Sequence, residues 1–150
     1  MKYKRKLISL LSIFILTSSC GVNTKNWPRF SFDFTSVDVE QISLYIAKKG
    51  NENIPISTDK WIVRESSQIN KAIEFLIGIP YRENLEDKAD VDDYIVKLEI
   101  VFSFYEYTMK DYEIVFFEYG VADCKVIFNN GDIHFLVADI EGIFSEIKGE

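Results

Sequence analysis

A chain of 150 residues, 47% hydrophobic and 27% charged, has the material for one domain with a sizeable core; it is neither an array of domains nor a disordered polymer. Its formal charge of −7, from 24 acidic against 17 basic residues, argues against nucleic acid as a partner, because phosphates carry the same sign.

The chain opens with four cations, Lys2, Lys4, Arg5 and Lys6, followed by an apolar stretch from Leu7 to Leu16 and the small residues Thr17, Ser18 and Ser19 before Cys20 and Gly21. A charged start, a short apolar centre and small residues before a cut are the three regions of a secretory signal peptide. A spanning helix needs roughly 20 apolar residues, so this stretch is too short to remain in a bilayer. It reads as an export signal occupying 1–19.

The residues Leu16-Thr17-Ser18-Ser19-Cys20 resemble the lipobox of bacterial lipoproteins, with Leu one place earlier than that family prefers and Thr17 where Leu is commonest. The resemblance covers only the first 21 residues. It implies cleavage before Cys20, lipidation of the Cys20 thiol, and a mature protein held to a membrane of the cell envelope. Two or three chains on one cysteine would make the attachment nearly permanent, since each buried methylene contributes about 0.8 kcal/mol. The non-Asp residue at Gly21 implies the outer membrane in a Gram-negative cell, and otherwise the outward face of the cell membrane.

Cleavage would remove four basic residues and no acidic one, leaving a net −11. The charge is uneven. From Cys20 to Arg82 there are 8 basic and 7 acidic residues; from Glu83 to Glu150 there are 5 basic and 17 acidic. The second half would attract cations or a basic protein. Only Cys20 and Cys124 exist. With Cys20 lipidated, no intramolecular disulfide can form, and the fold must hold by packing.

Residues 20–29 are polar and read as a tether, with Trp27 beside Pro28 suited to a headgroup boundary. The globular domain then runs over 30–150. Phe30, Phe32 and Phe34 alternate, as do Ile42, Leu44 and Ile46, which is the period of half-buried strands. Gly50 to Thr58 reads as a loop, and Trp61-Ile62-Val63 as a short extended piece with Trp61 in the core. Ser66 or Ser67 can cap a helix through Ile77, whose Ile69, Ile73, Leu76 and Ile77 share a face; Gly78 and Pro80 stop it. Tyr81 to Asp93 is a charged loop.

Four strand-like runs follow, near 94–106, 112–119, 122–129 and 132–138, dense in Val, Ile, Phe and Tyr with short connections. Asn130-Gly131 is a strong signal for a two-residue hairpin turn. Ile140, Ile143, Phe144 and Ile147 then give a short amphipathic helix after a possible Asp139 cap, weakened by Gly142. The expected fold is α+β: an antiparallel sheet of about five or six strands, ending in a C-terminal meander, with two short helices. Leu98, Ile100, Phe102 and Phe104 share one phase, while Val101 and Tyr105 fall in the other. One helix on each face would account for apolar residues in both phases. Both helices on one face would instead leave an aromatic patch on the other, and such patches mark binding surfaces.

Catalytic chemistry is sparse. Cys124 and His134, the lone His, are a nucleophile–base candidate. A two-residue turn at Asn130-Gly131 pairs Ile127 with His134, which puts thiol and imidazole on opposite faces of the sheet and leaves Cys124 a buried structural thiol. One His cannot build a His-rich zinc site, and no C-x-x-C, H-E-x-x-H, G-x-S-x-G, P-loop or G-x-G-x-x-G occurs. Asp87, Asp90, Asp92 and Asp93, with Glu83 and Glu86 before them, could offer oxygens to Ca²⁺. They lack the glycine and distal Glu of an EF-hand loop, so a solvated acidic loop is the expectation, with no metal and no cofactor. Paired carboxylates for glycoside cleavage have no sequence signature. The sequence therefore points to binding rather than catalysis, through the acidic half to a cationic protein, as inhibitor or immunity-type lipoproteins do. The alternatives are a structural or assembly subunit using an apolar sheet face, or an envelope hydrolase.

Overall fold

The computed structural model describes residues 23–49, 55–83, 94–106, 109–120, 123–127, 133–136 and 139–150. Its elements in chain order are β1 (Val39–Lys49), β2 (Pro55–Val63), α1 (Ser66–Ile77), β3 (Arg82–Glu83), β4 (Val96–Phe104), β5 (Tyr112–Gly120), β6 (Asp123–Ile127), β7 (Ile133–Leu136) and α2 (Ile140–Lys148). The strands form one antiparallel sheet in the order β2-β1-β4-β5-β6-β7-β3. This is the α+β fold that the patterning implies, with five strands of five or more residues extended by the four-residue β7 and the two-residue β3. Among the described residues, no helix is long and apolar enough to cross a membrane.

Cross-strand register explains the core. Ile42 lies opposite Phe102, Leu44 opposite Ile100, Ile46 opposite Leu98, and the same row continues from Ile100 to Ile114 and from Leu98 to Phe116 and Val126. All of these side chains are buried. Along β4, buried and half-buried residues alternate without exception, as the pleat requires of a strand with one covered face. The cover is α1 through Ile69, Ile73 and Leu76, and α2 through Ile140, Ile143 and Ile147, all in the same core. Each such aliphatic side chain contributes roughly 1.5–3 kcal/mol when fully buried. Both helices thus lie on one side of the sheet, and the arrangement with one helix on each face is not adopted.

Several local expectations are revised. Phe30, Phe32 and Phe34 do not form a strand; among the described residues, the one ladder contact nearby is a single bridge between Arg29 and Pro80. Their alternation reflects an extended segment laid over the sheet, with Phe30 against Phe116 at 6.0 Å and Phe34 against Phe102 at 5.2 Å and Phe104 at 4.9 Å. β2 begins at Pro55, inside the expected loop, because Pro can open an edge strand at no hydrogen-bonding cost. Trp61 is 44% exposed on that edge rather than in the core, with the Lys148 ammonium 4.6 Å from its ring. Ser66 is already helical and Glu65 holds the N-cap position, while Ser67 Oγ donates to Glu65 Oε1. Asp139 stands at the cap of α2, but its backbone C=O, not its carboxylate, receives the Ile143 N–H.

The segment expected to be a tether is fastened to the domain from Thr24 onward. Thr24 is buried, Trp27 N–H donates to Thr24 C=O, and the Tyr81 N–H donates to Pro28 C=O at 3.0 Å. Phe30 N–H donates in turn to Ile79 C=O at 3.3 Å. Further on, Thr35 N–H and Oγ1 both donate to Asp38 Oδ2, at 2.8 and 2.9 Å, closing the turn that feeds β1 and holding that exposed carboxyl below the usual carboxylate range.

Candidate functional site

Pleat alternation assigns the second face of the sheet as well. Row by row across the strands, it carries Ile62, Ser43, Val101 and Glu113; then Lys60, Tyr45, Glu99, Val115 and Ile127; then Ala47, Lys97 and Phe117. The last row continues in register through Lys125 and Phe135 to Arg82 at the far edge, so basic and aromatic positions alternate across five strands.

Neither helix covers this face. Tyr45, Ile62, Val101, Val115, Tyr119 and Ile127 are half-buried, and Phe117 is shielded by Tyr94 and Tyr119, whose ring centroids lie 5.9 and 6.1 Å away. Lys97 reaches Glu99 at 3.4 Å, and the Lys60 ammonium sits 5.1 Å from the Tyr45 ring. Long amphipathic side chains therefore shade the apolar strip with their own methylenes while keeping charge in water. A partner displacing that thin cover would meet a flat apolar strip with cations along it.

The helix side is chemically different. Glu65, Glu74, Asp139, Glu141 and Glu146 stand there against Lys71 and Lys148. At the start of α2, burial raises the Glu118 carboxyl above its ordinary range, and the negative charges of Asp139 and Glu141 raise it further. Glu141 is in turn held by Lys48 at 2.8 Å. The two sides of the sheet thus differ in sign as well as in cover, a division that hides in the total charge.

The sequence-selected residues are distributed as follows. Cys20 and the acidic set Asp87, Asp90, Asp92 and Asp93 lie outside the described residues. Among the described residues, no group of three or more His, Cys, Asp or Glu is placed to hold a metal ion. Asn130-Gly131 also lies outside them, but the flanking register corrects the expected hairpin: Ile127 pairs with Ile133, and Val126 with His134. A two-residue turn would have paired Ile127 with His134, so the observed register is shifted by one and every β7 position changes face relative to β6. Cys124, opposite Leu136, therefore shares its pleat phase with His134 instead of opposing it. That phase also contains buried Val126 and Phe116, on the helix-covered side. The expected separation of Cys124 from His134 is withdrawn, and the burial of the Cys124 side chain lies outside what is described.

The open face itself was legible only as an alternative. Val101 and Tyr105 signalled a second apolar phase, but which phase the helices cover is set by connections that carry no periodicity. Trp27, assigned to a tether, instead belongs to an ordered end of the domain, 5.9 Å from the Arg82 guanidinium. Compared with protein families, curated proteins and solved structures, the chain matches none.

Proposed function

We propose that this protein is exported, lipidated on Cys20, held to a membrane of the cell envelope, and acts there by binding another protein. The signal-like start and the lipobox-like residues up to Cys20 support the address. For the mode of action, the observation that carries the proposal is the uncovered face of the sheet. Among the described residues, a strip containing Tyr45, Val101, Val115 and Ile127, with lysines along it and neither helix above it, has the composition of a contact surface.

A second reading rests on charge. The mature net charge of −11 is concentrated in the second half of the sequence, and the described helix side carries more acidic than basic groups; this suits capture of a cationic protein in the manner of an inhibitor or immunity-type lipoprotein.

Salt and substitution separate the two. Capture of a partner from envelope extract by the full-length lipidated protein, repeated at low and high ionic strength, is expected to persist at high salt and to be lost in V115E/I127E. Capture that collapses at high salt and survives V115E/I127E would move the contact to the acidic side. Turnover of a cell-wall or lipid substrate by the purified protein would overturn both readings in favour of a hydrolase.

A further inference from the structure

We infer that the end of the domain built from Thr24–Arg29 and Pro80–Arg82 docks on the headgroups of an anionic membrane, an inference that rests on the proposed lipidation of Cys20. Its first ground is chain length. Thr24 is buried in the domain, and consecutive Cα atoms are 3.8 Å apart, so Thr24 Cα lies within about 15 Å of Cys20 Cα whatever path the chain takes. A lipid-bearing Cys20 therefore holds this end of the domain at the headgroup layer.

The second ground is chemistry. Lys25, Arg29 and Arg82 are exposed here, and Trp27 is half-buried with the Arg82 guanidinium 5.9 Å from its ring. Backbone hydrogen bonds from Tyr81 to Pro28 and from Phe30 to Ile79 hold the two segments side by side, so the three cations and the indole are gathered at one end of the domain. Indole favours the membrane–water boundary, and basic side chains favour anionic lipid. The rest of the mature chain, with 10 basic against 24 acidic residues and a net −14, is repelled by the same lipid, which turns the basic end toward the bilayer.

The sequence supplies its own control, because the chain has two tryptophans. Trp27 adjoins β3 at one edge of the sheet, and Trp61 lies on β2 at the opposite edge. Six strand spacings separate those edges, about 29 Å along the sheet. Full-length lipidated protein, with Cys20 acylation checked by mass spectrometry, is reconstituted into vesicles of brominated phosphatidylcholine with or without phosphatidylglycerol. In W61F the remaining Trp27 is expected to be strongly quenched, more so with phosphatidylglycerol; in W27F the remaining Trp61 is expected to stay bright. R29E/R82E should lose the gain due to phosphatidylglycerol, each cation at such a surface being worth about fivefold in partitioning.

Equal quenching of the two indoles in acylated protein would overturn the docking inference and leave the anchor standing. A bare thiol at Cys20 would overturn both. If Trp27 stayed unquenched in vesicles while a photoreactive group at position 25 crosslinked to a protein in native envelopes, that end would belong to a protein partner and the inference would fall.

Discussion

Phe102 shows how much one side chain carries in this core. It is fully buried in one aromatic cluster with Phe34, Phe32 and Tyr112, whose ring centroids lie 5.2, 5.6 and 6.3 Å away. Phe102→Ala leaves a cavity beneath the N-terminal segment and should cost about 3–5 kcal/mol, read as a lower denaturant midpoint. Glu118 works against stability under ordinary conditions. Burial and the charges of Asp139 and Glu141 raise its pKa on folding, so its neutral form is the one the folded state prefers. The stability it contributes is present below the ordinary carboxylate value of 4.5 and is lost as pH rises through the raised one. Glu118→Gln should therefore raise Tm at pH 7, with the difference from the parent protein vanishing below that ordinary value. A Tm unchanged at pH 7 would show that Lys48 and water already neutralise the cluster.

At the scale of the element, α2 ends on Gly149, whose φ of 89° lies in the left-handed region that favours glycine. A Cβ there would also meet the Gln68 amide at 3.0 Å, and that amide donates to Ile147 C=O at 2.9 Å, tying the end of α2 to α1. Gly149→Ala should cost about 1 kcal/mol in thermal or denaturant unfolding, with faster hydrogen exchange in the last turn of α2. Most elements could be read from the sequence, because their signals are local: alternation in β1 and β4, a 3.6-residue period in both helices. Where reading failed, the deciding contact was distant. Phe30, Phe32 and Phe34 have the pattern of a strand, but their alternation serves ring packing on the sheet and not a ladder of backbone hydrogen bonds. The register of β6 on β7 differs by one residue from the one the turn signal implies, and that single step puts position 134 in the pleat phase of position 124. The candidate binding face was visible only as a second apolar phase, since no periodicity records where a helix docks.

For the molecule as a whole, the division between a helix-covered acidic side and an open mixed side gives a direct expectation about mutational tolerance. V115E and I127E replace half-buried side chains on the open face, away from the helix-packed core. They should lower Tm only slightly, far less than Phe102→Ala, while abolishing partner capture. A collapse in Tm comparable to that of Phe102→Ala would mean that the face is structural rather than a contact surface.

The sheet order also governs when the fold can form. β1 lies between β2 and β4, and β4 arrives only after α1 and the acidic stretch that follows it. Leu44 must therefore wait for Ile100, far along the chain, before its row can close, and such a non-local pairing slows folding. Under the export proposed above, such delay would be useful: the leading half would not complete its structure at the ribosome and would stay threadable through a narrow conduit. The sheet would close only after the trailing hairpins had emerged on the far side.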